Sequence, residues 1–202
     1  MECISVFDML KIGVGPSSSH TLGPWRGAER FLGELRNENL IDSINRVKVD
    51  LYGPLSLTGK GHATDLAVML GLSGSDPVYI PVESIDVIIS AIKNKKEIFL
   101  GNEIIIPFCF ETDIIFNRNF LPFHANGITF TATTDSVTYA ETYYSIGGGF
   151  VVKEQEDHHK EEILHTFPFP IEKADELLAF CSSENKKISE IVFENEKTMR
   201  SE

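Results

Sequence analysis

The sequence lacks a hydrophobic run long enough to cross a membrane, and it lacks a basic segment at its amino terminus. A transmembrane helix needs about 20 consecutive apolar residues, and no run in these 202 residues approaches that length. Residues 1–8 contain two acidic side chains and no basic one, so we expect no secretory signal. We therefore expect a cytoplasmic protein with no membrane partner.

Positive charge is also scarce. Lys and Arg number 18 against 30 Asp and Glu, which gives a formal net charge of −12. Such a chain repels phosphate backbones, and no basic stripe offsets this repulsion, so we expect no nucleic-acid partner. The contents of 42% hydrophobic and 24% charged residues are typical of a globular domain, which excludes wholesale disorder and collagen.

Cysteine is also rare, since the sequence contains only Cys3, Cys109 and Cys181. Their odd number and wide spacing match neither a disulfide framework nor a Cys-x-x-Cys metal site. Reduced thiols in the cytoplasm are the simplest interpretation. We therefore expect no metal ligands in this chain.

Hydrophobic periodicity predicts an α+β fold, an antiparallel sheet with helices packed on it. The predicted helices cover about 24–36, 63–70 and 83–92, and two more follow residue 171. The predicted strands cover 47–52, 103–106, 114–116, 128–133, 137–144 and 150–152, with a hairpin connection at 134–136. Gly71 is expected to end the second helix.

The chain is expected to divide after residue 153. Residues 154–162 hold five acidic side chains and are interpreted as an exposed linker. We expect one domain over 1–153 and, over 154–202, the start of a connection to a further domain. The last helical pattern continues through Lys197 and Arg200 to the chain end without a cap, which indicates a fragment.

Hydroxyl groups are concentrated in residues 15–21, which contain Ser17, Ser18 and Ser19 in succession, followed by His20. Glycine and proline predict a loop here. The N–H groups and the positive dipole end of the following helix attract carboxylates or phosphates. An N-cap cluster is the alternative, but one cap needs a single hydroxyl, so we expect a binding site for a small anion.

Residues 59–62, with the sequence Gly-Lys-Gly-His, are predicted as a loop that opens a helix. A phosphate-binding loop is rejected because Gly61, and not Ser or Thr, follows Lys60. His62 is the candidate proton acceptor, because histidine titrates near neutral pH and a helix start favours its neutral form. The alternative is a histidine that only packs or caps.

Two further segments have both a functional and a structural interpretation. Gly147, Gly148 and Gly149 allow close approach of a ligand, but they also fit a bulge or hairpin corner. Asn126 precedes Gly127, a pair that is typical of a tight hairpin. These residue types alone do not identify a reaction.

Four blocks of the sequence resemble the bacterial iron–sulfur L-serine dehydratases. They are residues 5–21, 52–65, 124–127 and 142–152, and residues 188–196 resemble the linker helix of that family. The blocks occur in the family's order and run from end to end of the chain. The resemblance implies a β domain, similar to an accessory substrate-binding domain of some phosphoglycerate dehydrogenases.

The resemblance also implies an activity and its partners. These enzymes convert L-serine to pyruvate and ammonia with a [4Fe–4S] cluster in place of pyridoxal phosphate. One iron of the cluster acts as a Lewis acid on the substrate. The cluster cysteines belong to an α domain that this sequence lacks, so that domain is expected in cis or in trans. The complete enzyme is expected to be a homodimer.

The expected site follows from the matching blocks. His62 and His20 are the candidate catalytic residues, one of which removes the α-proton of serine. The candidate substrate-binding residues are Ser17, Ser18, Ser19, Thr21, Lys60, Gly61, Asn126, Gly147 and Gly148. Two functions stay open: half of a lyase that is inactive without its α domain, and a non-catalytic serine-binding regulatory module.

Overall fold

The computed structural model describes residues 11–154 and 167–199, apart from the side chain of Lys60. The chain divides into two compact units, and the described residues 11–154 belong to one while residues 167–199 belong to the other. Within the described parts, no helix is long and apolar enough to cross a membrane.

The larger unit alternates helices and strands. Its α-helices are α1 (Gly23–Asn37), α2 (Pro54–Leu57), α3 (Thr64–Leu72), α4 (Val82–Lys95) and α5 (Phe110–Asp113). A π-helical turn spans Ser18–Leu22, and 3₁₀ turns span Ile41–Ser43 and Gly59–His62. Its strands are β1 (Arg46–Leu51), β2 (Glu97–Leu100), β3 (Ile104–Pro107), β4 (Ile114–Phe116), β5 (Gly127–Thr133), β6 (Thr138–Gly147) and β7 (Phe150–Val152).

Five strands form one sheet in the order β4-β1-β5-β6-β7, and β2 and β3 form a separate hairpin. The α+β class is confirmed. The sheet is mixed, however, because β1 and β4 pair in parallel while the other ladders are antiparallel. The chain between β1 and β4 contains α2 to α5, and a crossover of this length permits a parallel pair.

The core lies between the sheet and α1, with α3 packed on α1. Trp25, Phe31 and Leu35 of α1 are buried, and Phe31 stacks on Phe130 of β5 at 5.2 Å between ring centroids. Each such side chain contributes about 1.5–3 kcal/mol by leaving water. In β1, alternate residues are buried as predicted. This packing holds the start of α1, and the π-turn before it, against β6.

Several boundaries differ from the sequence predictions. The predicted stop at Gly71 is wrong, because α3 continues to Leu72. A Cβ at Gly71 would lie 2.8 Å from both Ala28 Cβ and the Trp25 carbonyl oxygen, so glycine here allows close packing of α3 on α1. Strand β2 and the short helices α2 and α5, each four residues long, were not predicted.

The smaller unit contains α6 (Ala174–Glu184) and α7 (Ile188–Glu196), which confirms the two predicted helices. Glu176 and Glu190 each accept a hydrogen bond from the backbone N–H three residues earlier, at 3.0 and 2.7 Å. The predicted continuation of the last helix is wrong at Lys197, which follows the end of α7.

Two parts of the predicted connection lie outside the described residues. They are Arg200 and most of the acidic segment, from residue 155 onward. The boundary after residue 153 therefore stays a prediction.

Because Gly71 lets α3 approach α1, we expect Gly71→Ala to lower the free energy of unfolding by about 1–3 kcal/mol, the usual cost of overpacking. Gly33 of α1 is the matched control, since a Cβ there meets nothing within 4 Å. Gly33→Ala should raise stability by up to about 1 kcal/mol through helix propensity. Urea unfolding followed by circular dichroism measures both, and equal effects of the two variants would contradict this account.

Candidate functional site

The serine-rich segment forms a capped π-turn. The Ser17 carbonyl oxygen accepts hydrogen bonds from the N–H groups of Thr21 and Leu22, at 3.0 and 3.2 Å. Ser17 Oγ accepts a hydrogen bond from His20 N–H at 3.2 Å. The predicted loop is therefore wrong for residues 18–21, which belong to the π-turn. The N-cap interpretation accounts for Ser17, and it leaves the other two serine hydroxyls for other roles.

His20 is held by hydroxyl groups on one side of its ring. Its Nδ1 lies 3.1 Å from Ser19 Oγ and 3.5 Å from Ser17 Oγ. Its Nε2 is buried and has no hydrogen-bond partner among the described residues. Burial, and secondarily the charge of His62, lower the pKa of His20 below its ordinary value of 6.5. The ring is therefore neutral at pH 7.

His62 stacks on His20, with 4.9 Å between ring centroids and an interplanar angle of 27°. Its Nδ1 lies 3.0 Å from the Thr58 carbonyl oxygen. A carbonyl oxygen only accepts hydrogen bonds, so Nδ1 of the neutral ring carries the hydrogen and Nε2 keeps the lone pair. The arrangement therefore provides an oriented proton acceptor.

The predicted helical context of His62 is wrong. Helix α3 begins at Thr64, and His62 is the last residue of the preceding 3₁₀ turn. The helix-dipole argument for a neutral ring therefore does not apply, because His62 lies outside the first turn of α3. The hydrogen bond to the Thr58 carbonyl fixes the tautomer of the neutral ring instead.

Three buried hydroxyl groups tie the site together. Thr21 Oγ1 donates to the His62 carbonyl oxygen at 2.8 Å, and Thr64 Oγ1 donates to the His20 carbonyl oxygen at 2.6 Å. Ser145 Oγ of β6 donates to the Ser19 carbonyl oxygen at 2.8 Å. The π-turn is thus attached both to the segment that carries His62 and to the main sheet.

Asn126 joins the same region through Ser145. Its backbone carbonyl accepts from Ser145 N–H at 3.0 Å, and its Nδ2 donates to the Ser145 carbonyl at 3.3 Å. Its Oδ1 is buried, without a hydrogen-bond partner in the described residues. The tight-hairpin interpretation is wrong, because Asn126 lies between β4 and β5, which are not neighbours in the sheet.

The glycine-rich segment forms the turn between β6 and β7. Gly147, Gly148 and Gly149 have φ values of +103°, +58° and +77°, which favour glycine. A bulge lies between Ser145 and Gly147, as the structural interpretation expected. A Cβ on Gly147 or Gly61 would meet nothing within 4 Å. Their substrate-binding roles stay predictions, as does that of Lys60, whose side chain lies outside the described residues.

The structure therefore brings together most of the predicted site residues: Ser17, Ser19, Thr21, His20 and His62 directly, and Asn126 through Ser145. Ser18 is exposed on the π-turn. Sequence reasoning missed Thr64 and Ser145. A threonine at a predicted helix start is ordinarily interpreted as a cap, and nothing in the local sequence indicates that its hydroxyl bonds to a distant turn.

No described group of three or more His, Cys, Asp or Glu side chains could hold a metal ion. Cys109 donates a hydrogen bond to Glu111 at 3.1 Å, and Cys181 belongs to the smaller unit. Cys3 lies outside the described residues. The described donor set therefore does not fit an iron–sulfur cluster, which requires several converging thiolates.

Comparison with known proteins gives consistent matches. The model of the family described as "Serine dehydratase beta chain" matches residues 5–156. The chain is 40% identical to L-serine dehydratase 1 of Escherichia coli K12, over 98% of this chain and 44% of that protein. It is 43% identical to an L-serine dehydratase of Streptomyces coelicolor, over 98% of this chain and 45% of that protein. The chain thus spans less than half the length of these relatives.

The lowered pKa of His20 predicts a pH dependence of stability. The folded chain binds a proton at His20 less readily than the unfolded chain, so this contribution to stability is present above pH 6.5 and is lost as pH falls through the lower folded pKa. An NMR titration of the imidazole Cε1–H should give a midpoint below 6.5.

A companion variant tests the second cause of that shift. His62→Ala removes the neighbouring charge and should move the His20 midpoint upward. A wild-type midpoint at or above 6.5 would contradict the described burial of His20.

Proposed function

Because the chain belongs to the serine dehydratase beta chain family, we propose that it forms the β domain of an L-serine ammonia-lyase, which converts L-serine to pyruvate and ammonia. The observation that carries this proposal is the stacked pair His20 and His62 beside serine hydroxyls. Loss of water from serine requires removal of a proton from the α-carbon, and an oriented neutral imidazole can accept it.

In this proposal, His62 removes the α-proton. Its Nδ1–H donates to the Thr58 carbonyl, so Nε2 is the atom that accepts the proton. His20 lies against it and stays neutral at pH 7. A neutral neighbour allows the proton to be accepted without the repulsion that a charged neighbour would cause.

The remaining polar groups would hold the substrate. Asn126 Oδ1 is a buried acceptor without a partner among the described residues, and an ammonium group is the donor that would satisfy it. Ser18, exposed on the π-turn, would donate its hydroxyl to the substrate carboxylate. Ser17 and Ser19 would act mainly through His20, since their hydroxyls lie against its Nδ1.

An iron–sulfur cluster would have to be held by residues beyond this chain. The described residues do not fit such a cluster. The relatives are more than twice as long as this chain, and we place the cluster ligands in an α domain that corresponds to their additional length. The chain alone should therefore be inactive.

Activity should appear when that additional length is supplied. We expect the isolated chain to form no pyruvate from L-serine after anaerobic iron–sulfide reconstitution. Co-expressed with the carboxy-terminal part of the Escherichia coli relative, it should yield serine-dependent pyruvate. The control is that relative's own amino-terminal part in the same arrangement. Pyruvate formation by the control pair but not by the pair that contains this chain would contradict the proposal. Pyruvate formation by the isolated chain would also contradict it.

Single substitutions in the active pair should separate the roles. His62→Ala should lower kcat by about 10²–10⁴-fold, the usual range for loss of a general base. Ser18→Ala should mainly raise KM, because it removes a contact shared by ground and transition states. If His20→Ala abolished kcat while His62→Ala kept a near-normal kcat, the roles proposed for the two histidines would be reversed. Unchanged kcat in both, with altered serine dependence only, would favour the regulatory module.

A further inference from the structure

The two histidines are connected by a pair of reciprocal hydrogen bonds. The hydroxyl of Thr21, adjacent to His20, binds the carbonyl of His62 at 2.8 Å. The hydroxyl of Thr64, two residues after His62, binds the carbonyl of His20 at 2.6 Å. Each threonine therefore fixes the backbone of the opposite histidine. We call this pair of bonds the threonine clasp.

The clasp is buried and cannot be replaced by water at low cost. Thr64 is 0% exposed and Thr21 is 3% exposed. A buried carbonyl left without its donor costs about 1–3 kcal/mol. Loss of either hydroxyl therefore favours a rearrangement of the two turns.

Local backbone geometry directs Thr64 to this bond. Ala63 adopts a left-handed conformation with φ +55°, which is uncommon for a residue other than glycine. A Cβ at Gly59 would lie 3.2 Å from Thr64 Cβ, so glycine leaves room for this side chain. A hydroxyl near a helix start usually caps its own helix, whereas Thr64 donates to another turn.

We propose that Thr64 is a positioning residue, which together with Thr21 sets the stacking distance and orientation of His20 and His62. The observation that carries the proposal is the reciprocal pair of hydrogen bonds, in which each threonine hydroxyl donates to the carbonyl oxygen of the opposite histidine. No other described hydrogen bond directly joins the π-turn to residues 59–64. The importance of this positioning for catalysis rests on the proposed function, but the positioning itself does not.

Thr64→Val tests the clasp, because it keeps the side-chain shape and removes the hydroxyl. The expected result in the 202-residue chain is a rise of the His20 titration midpoint toward 6.5, as the rings separate and water reaches Nε2. Thr64→Ser should restore the wild-type midpoint, since it keeps the donor. Imidazole Cε1–H signals report the midpoint, with His20→Gln for assignment and thermal unfolding as the check that each variant folds.

Ser73→Ala is the matched control. Ser73 is also buried, and its Oγ donates to the Met69 carbonyl at 2.8 Å, within one helical segment. It should lower stability to a similar degree without moving the His20 midpoint. If Thr64→Val does not fold, Thr21→Val tests the reciprocal bond with the same expected rise. A folded Thr64→Val or Thr21→Val with the wild-type midpoint overturns the proposal, as does a failure of Thr64→Ser to restore it.

Activity provides a second and separate measurement. In the complete enzyme, Thr64→Val should lower kcat by roughly 10–100-fold with KM little changed, because misplacement of a catalytic group affects the chemical step. Thr64→Ser should keep most of the activity. If the complete enzyme proves inactive toward serine, the proposed function fails. The His20 titration still tests whether the threonine clasp positions the two histidines. An active Thr64→Val enzyme with wild-type kcat would overturn the catalytic importance of the clasp.

Discussion

The site depends on the close approach of β6 to the π-turn. Ser145 Oγ binds the Ser19 carbonyl, and a Cβ on Gly23 would collide with that same hydroxyl. The bond therefore requires glycine where the π-turn passes into α1. Since α1 also packs on the sheet through its large apolar residues, the hydrophobic core and the polar site share one helix. A shift of α1 would displace the serines and His20 together.

Within this frame, burial and hydrogen bonding act on the two imidazoles in different ways. Burial and the charge of His62 disfavour a proton on His20. The Thr58 carbonyl fixes which nitrogen of the neutral His62 carries hydrogen. One ring is thus kept uncharged by its surroundings while the other is oriented by its own turn. Their contact at 4.9 Å places the charge of His62 close enough to lower the pKa of His20.

Sequence reasoning predicted α1 and most of the strands from their hydrophobic patterns, and it missed side-chain roles that depend on distant contacts. The amphipathic pattern of α1 and the alternation of β1 each predict one buried face, and both predictions are confirmed. Gly71 was misread as a stop, because its role depends on Trp25 and Ala28 of another helix. The serines and histidines were found from their unusual density. Thr64 and Ser145 were not, since a single hydroxyl carries no local signal of a bond across the fold.

The parallel pairing of β1 with β4 has a consequence for the order of folding. Val49 lies beside Ile114 in one ladder and beside Phe130 in the next, while β5 and β6 are joined by a short turn. Pairing of distant segments carries the larger loop-closure entropy, so the β5–β6 hairpin can form early, and both pairings of β1, with β4 and with β5, form later. The histidine turns belong to the crossover between β1 and β4 or precede β1. The hydrogen bonds that join the two histidine turns likewise connect residues 41 and 44 positions apart. Their formation also closes a long loop, so the chemical centre is assembled later than the local hairpin.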